Sequence, residues 1–155
     1  MTRKTKRVLK GTVAGLAGGL AGTIAMTQFQ NLWNRMMGGS SSGGEPATVK
    51  AAVRLFHVPK DRKKTAGQIV HYSFGALNGA MYGAVAEVEP KASMCAGTLF
   101  GATLFVVVDE TLVPLLGWSK PPQDYPLTSH LYGFASHLIY GLTTDGVRRA
   151  VRSAL

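Results

Sequence analysis

A chain of 155 residues with one cysteine, Cys95, is one domain or one small helical bundle, and it has no internal disulfide. Its net charge of +9 admits nucleic acid or anionic lipid as partner; the basic residues flank apolar segments and form no groove-sized helix face with interleaved aromatics, which excludes nucleic acid and favours a membrane surface. With 46% hydrophobic residues, 16% charged residues and 19 glycines, the mean hydropathy is only just positive, because glycine and polar loops dilute it.

The first apolar segment, 11–36, follows Arg3, Lys4, Lys6, Arg7 and Lys10. Its glycines recur every fourth residue (Gly11, Gly15, Gly19, with Gly18 and Gly22 offset), and it lacks the leucine-rich core of a secretory signal. A retained membrane helix is expected, with Trp33 and Arg35 as interfacial anchors. A polar loop, 38–66, comes next. It opens on GGSSSGG (Gly38 to Gly44), a flexible linker by composition. Pro46 then introduces ATVKAAVRLFHV, with Val49, Ala52, Val53 and Phe56 on one side and Lys50 and Arg54 on the other. It is too short to span and amphipathic, so an interfacial helix is expected, with His57 at the interface. The run Lys60 to Lys64 is either seated in headgroups or a solvated charge run.

The second segment, 68–88, organises the chain. His71, Gly75, Gly79 and Gly83 form one stripe on a helix. Such a stripe lets another backbone approach closely, which is how helices associate in lipid; in a soluble helix each glycine would cost about 1 kcal/mol against alanine. Asn78 lies close to the same face. Glu87, Glu89, Pro90 and Lys91 make a short turn into the third segment, 92–116, where Gly97 and Gly101 repeat the spacing and Trp118 marks the end. After the loop SKPPQDYP comes the fourth segment, 127–147, and then Arg148, Arg149 and Arg152. FGALNGAMYG in the second segment and YGFASHLIYG in the fourth share a faint pattern.

Each segment approaches the roughly 20 residues that cross a bilayer. The expected fold is therefore all-α: a four-span transmembrane bundle with glycine-stripe packing and a short interfacial amphipathic helix between spans one and two. Charge scarcely orients it, with nine basic residues inside against eight outside for four spans. A three-span layout would place thirteen inside and four outside, which fits the positive-inside tendency better.

AEVEPK after the second segment, a glycine-bearing third helix ending near Pro114 and Gly117, a proline loop with Asp124 and Pro126, and FASHL before Arg148 and Arg149 carry a resemblance. From Ala66 onward the chain resembles the YagU-like family of bacterial inner-membrane proteins. The resemblance implies four spans with both termini cytoplasmic, in the inner membrane. It brings no established activity, cofactor or catalytic residue.

Polar groups inside membrane helices are costly and mark a functional site or interhelical contacts. Here they are Thr27, Gln28 and Asn31 on the first segment, His71 and Asn78 on the second, Asp109 and Glu110 on the third, and His130 and His137 on the fourth. In an antiparallel bundle Gln28, Asn31, His71, Asp109, Glu110 and His130 fall in the same half of the bilayer. On an α-helix Asp109 continues the stripe of Gly97, Gly101 and Phe105, while Glu110 points about 100° away. Three readings compete: bundle assembly, a proton or ion pathway, and a metal or haem site using His71, Glu110 and His130. No HExxH, EExxH or CxxCH spacing is present, GLAGGLAGT has no following lysine and is no phosphate loop, and Ser136 beside His137 is mere adjacency. The expectation is a non-enzymatic membrane protein without cofactor whose polar cluster serves proton or ion handling or assembly. The alternative is a membrane-embedded metal or haem protein. The expected partners are the lipid bilayer, anionic headgroups at the basic segments and further copies of the chain.

Overall fold

The computed structural model describes residues 1–37 and 45–155; the linker expected at Gly38 to Gly44 lies outside them. Helix α1 spans Arg3–Met36, capped by the Thr2 hydroxyl, which accepts from the Thr5 amide at 3.2 Å. At 1.5 Å per residue it is about 50 Å long, more than the ~30 Å of a bilayer core. Helix α2 is Ala47–Phe56 and stops at His57, which takes the left-handed conformation with φ 51°. Helix α3 is Lys63–Val88.

The third expected segment is not one helix from residue 92. Pro90–Gly97 is a 3-10 stretch that breaks at its end: Met94 is extended, and Cys95, Ala96 and Gly97 have φ of 59°, 51° and 81°. Three consecutive left-handed residues cannot continue a right-handed helix. Helix α4, Thr98–Leu104, therefore starts later, widens into π-helix over Phe105–Leu112 and closes as α5, Val113–Leu115. Helix α6, Leu127–Ala154, runs past the expected end at 147. No strand occurs among the described residues.

Helix α1 lies antiparallel to both α3 and α6. Gly11, Gly15 and Gly19 face Gly83, Gly79 and Gly75, while Gly18 and Gly22 face Thr144 and Tyr140. A Cβ on Gly79 would sit 2.5 Å from the Gly19 Cα, so the two backbones are already in contact. The α4–α5 arm lies against α6 in the same manner: a Cβ on Gly141 would be 2.8 Å from the Gly101 nitrogen, and Phe105 covers Gly133. Helix α2 rests on the start of α3, with Val49 over Gly67. Its buried side is Val49, Ala51 and Ala52, whereas Phe56, expected on the same side as Val49, is exposed together with Leu55.

Burial is inverted relative to a water-soluble protein. The interior holds glycines, alanines and polar groups such as Thr23, Ser136, Thr144 and Asp145, while Leu16, Leu20, Ile24, Leu77, Met81, Val106, Val107 and Leu142 point outward. In water the hydrophobic effect drives the opposite distribution. By length and composition two stretches are able to cross a membrane, Arg3–Met36 and Pro90–Leu115. The glycine, polar and charged residues of α3 and α6 keep those helices below that measure.

Candidate functional site

The antiparallel order sorts the polar residues to two ends. The end of α1, the start of α3, the α4–α5 arm and the start of α6 meet at one, here the linker end. The start of α1 and the ends of α3 and α6 meet at the other, the terminal end.

At the linker end, His130 sits in the first turn of α6 with its Nδ1 2.9 Å from Glu110 Oε1 and its Nε2 3.1 Å from the Pro122 carbonyl. A carbonyl only accepts, so Nε2 carries a proton. The proton between Nδ1 and Glu110 then belongs to either an imidazolium or a carboxylic acid, and one proton is shared by the pair. Beside it lies a cleft of about 310 Å³ lined by Glu110, Thr111, Pro114, Leu115, Pro121 and Pro122. Two turns further along α6, His137 donates from Nδ1 to the Gly133 carbonyl at 2.9 Å, and Asp109 Oδ2 is 3.8 Å from the same nitrogen. The π-helix explains why both carboxylates reach α6. Backbone bonds closing over five residues, such as the Val113 amide to the Val108 carbonyl, put more residues into each turn, so adjacent side chains diverge less than on an α-helix.

The other expected members lie elsewhere. His71 reaches α1, with its Nε2 3.4 Å from Thr27 Oγ1. That hydroxyl already donates to the Thr23 carbonyl, so it accepts from His71. The amide of Asn78 donates to the Phe74 carbonyl of its own helix at 2.9 Å. Gln28 and Asn31 are exposed, because depth along a helix does not set direction around it. The residues thus form separate pairs and not one cluster. Among the described residues no three His, Cys, Asp or Glu side chains converge as a metal requires. His71, Glu110 and His130 are therefore not assembled as a ligand set, since His71 turns to α1 while the other two join the π-helical stretch to α6.

The terminal end holds a network that sequence reading missed. Asp145 is buried on α6, and its Oδ1 accepts from Tyr82 at 2.9 Å and from Arg148 Nε and Nη2 at 3.0 and 2.7 Å. Its Oδ2 accepts from Arg149 Nε at 2.7 Å. The Arg148 guanidinium lies 5.5 Å from the centre of the Tyr82 ring, which stacks on Phe100 at 4.4 Å. Glu87, at the end of α3, accepts from Arg152 Nε at 2.5 Å and lies 3.5 Å from Arg7. The hydrogen bond to Glu87 raises the pKa of Arg152, which stays charged. Arg149 also donates to the Ser93 carbonyl, and Lys10 to that of Leu155. The available signal was Asp145 placed three and four residues before two arginines, a helical pairing distance.

The chain is 29% identical over 87 residues to the inner membrane protein YagU of Escherichia coli (strain K12). That alignment covers 56% of this chain and 43% of YagU, so the chain spans less than half of that relative's length. No solved structure matches the chain. A family model described as a protein of unknown function, DUF1440, matches residues 42–146, starting well before Ala66, where the sequence resemblance begins. That match takes in more than half of the chain and every pair at the linker end except the Thr27 contact, and the chain belongs to this YagU-like family.

Proposed function

We propose that the chain is a multi-pass inner-membrane protein in which α1, α3, the α4–α5 arm and α6 cross the bilayer as a four-helix bundle on glycine stripes. The inverted burial carries this reading, with leucine, valine and methionine outside and glycine, threonine and serine within. Helix α2 lies in the interface at the linker end, with Leu55 and Phe56 toward lipid. Both termini lie in the cytoplasm, as the family resemblance implies, since nine basic residues at the terminal end against eight at the other scarcely orient the bundle.

Within that bundle the histidine–carboxylate pairs serve assembly. His130 is matched to Glu110 and His137 faces Asp109, each across two segments, and together the two pairs fix the π-helical arm on α6. Proton exchange is the second reading, favoured by the partial exposure of His130 and Glu110, 27% and 25% of their side chains, beside an open cleft. Thiol labelling of Ser41→Cys and Ser153→Cys, in a chain with Cys95→Ser, tests the topology: reaction of the first from the periplasmic side and of the second from the cytoplasmic side is expected. Labelling of both from one side refutes four spans. Glu110→Gln separates the roles, since assembly predicts a lower melting temperature with unchanged proton flux in proteoliposomes.

A further inference from the structure

We propose that the cleft between the first turns of α1 and the last turn of α3 is a binding site for one anionic phospholipid. Its phosphodiester is held by Arg3, Lys4 and Arg7, and its glycerol end lies over Val8 and Val88. The cleft measures about 460 Å³ and is lined by these five residues and Glu87. It rests on the membrane reading above, because α1 must carry its first turns beyond the hydrocarbon. Arg7 sits one turn before Gly11, where the packed part of α1 begins, so the three cations stand at headgroup depth on a rigid helix.

Charge decides what the cleft takes. Glu87 is turned inward, its side chain 9% exposed, and its carboxylate is engaged by Arg152 and Arg7. Asp145, the other carboxylate inside this end, is engaged by Arg148 and Arg149. Arg3 and Lys4 are exposed and make no ion pair among the described residues. Arg7 is 64% exposed and makes only a 3.5 Å ionic contact and a 3.1 Å bond to the Glu87 carbonyl, so donors remain on it. Cationic side chains above two valines match a headgroup whose charge sits immediately above acyl carbon. A soluble phosphate matches the cations and gains nothing from Val8 and Val88.

Native mass spectrometry of the full chain in detergent, titrated with phosphatidylglycerol, phosphatidylcholine or inorganic phosphate, tests the site. Phosphatidylglycerol is expected to bind in preference to both. Arg3→Gln with Lys4→Gln leaves the fold's ion pairs intact and is expected to weaken it about thirty-fold, from about five-fold per basic residue at an anionic surface. Lys60→Gln with Lys64→Gln, at the opposite end, is expected to leave it unchanged. Equal binding of both lipids, or an unaffected Arg3/Lys4 double variant, overturns the site, and inorganic phosphate binding as tightly as the lipid overturns the lipid as occupant. Carbonate extraction of the chain from isolated membranes is the separate readout: release overturns the membrane reading and the site together, whereas retention without lipid discrimination overturns the site alone.

Discussion

Adding one methyl group at two glycines should change stability in opposite directions. At Gly79 the new Cβ would meet the Gly19 Cα at 2.5 Å and its nitrogen at 2.7 Å, both backbone atoms on a facing helix. Ordinary carbon contact needs about 3.5–4.0 Å, so α1 and α3 must part by about 1 Å along a seam that also carries the Gly11–Gly83 and Gly15–Gly79 contacts. Overpacking of this kind costs about 1–3 kcal/mol. At Gly146 nothing lies within 4 Å of the new Cβ, and only the helix propensity changes, which favours alanine by up to about 1 kcal/mol. Thermal melting of the detergent-solubilised variants reads both. Gly79→Ala should lower the midpoint, Gly79→Leu should lower it further, and Gly146→Ala should hold or raise it. Leu77→Ala, at an outward position, should leave it near wild type. If Gly79→Ala melts with Gly146→Ala, the seam between α1 and α3 is not where stability resides.

Asp145→Asn leaves Arg148 buried without its counter-charge, and breaking such a pair costs about 3–5 kcal/mol; the double change Asp145→Leu with Arg148→Met should recover much of that melting loss, and no recovery would point to a role beyond pairing. Glu87→Gln should cost less, about 0.5–1 kcal/mol, since Arg152 is 27% exposed and water can solvate it. Cys95 is exposed in the turn between α3 and α4, so a membrane-impermeant maleimide should reach it from the same side as Ser153→Cys, and labelling from opposite sides would break the antiparallel order. Thr27→Val removes the acceptor for His71 and should destabilise by about 1 kcal/mol, without the large effect expected at Asp145.

The helices themselves were legible because their periodicity is strong. Four-residue glycine spacing located α1 and α3, whereas the second contact face that the offset Gly18 and Gly22 make against α6 emerged only in the structure. The break at Cys95 and Ala96 was not legible, since neither residue favours positive φ and Gly97 alone reads as a packing glycine. The π-helix has no local composition of its own; it arises where α4 must satisfy α6, and it turns Asp109 and Glu110 together in a way α-helical arithmetic does not foresee. Asp145 was overlooked for a different reason. Its partners looked like a cationic tail, and only tertiary packing against Tyr82 takes Arg148 out of solvent. Gln28 and Asn31 erred the other way, because sequence depth assigns a level in the bundle and not an azimuth.

The central place of α1 has a consequence for biosynthesis. Its Gly15 face meets a partner as soon as α3 emerges, but Gly18 and Gly22 wait for Thr144 and Tyr140, more than a hundred residues later in the chain. Between those moments the nascent α1–α3 hairpin displays a groove of bare backbone with nothing of its own to fill it. A ribosome stalled before α6 therefore leaves an adhesive hairpin, able to capture α6 from another copy, and the speed at which the last helix is delivered decides whether each chain closes on itself.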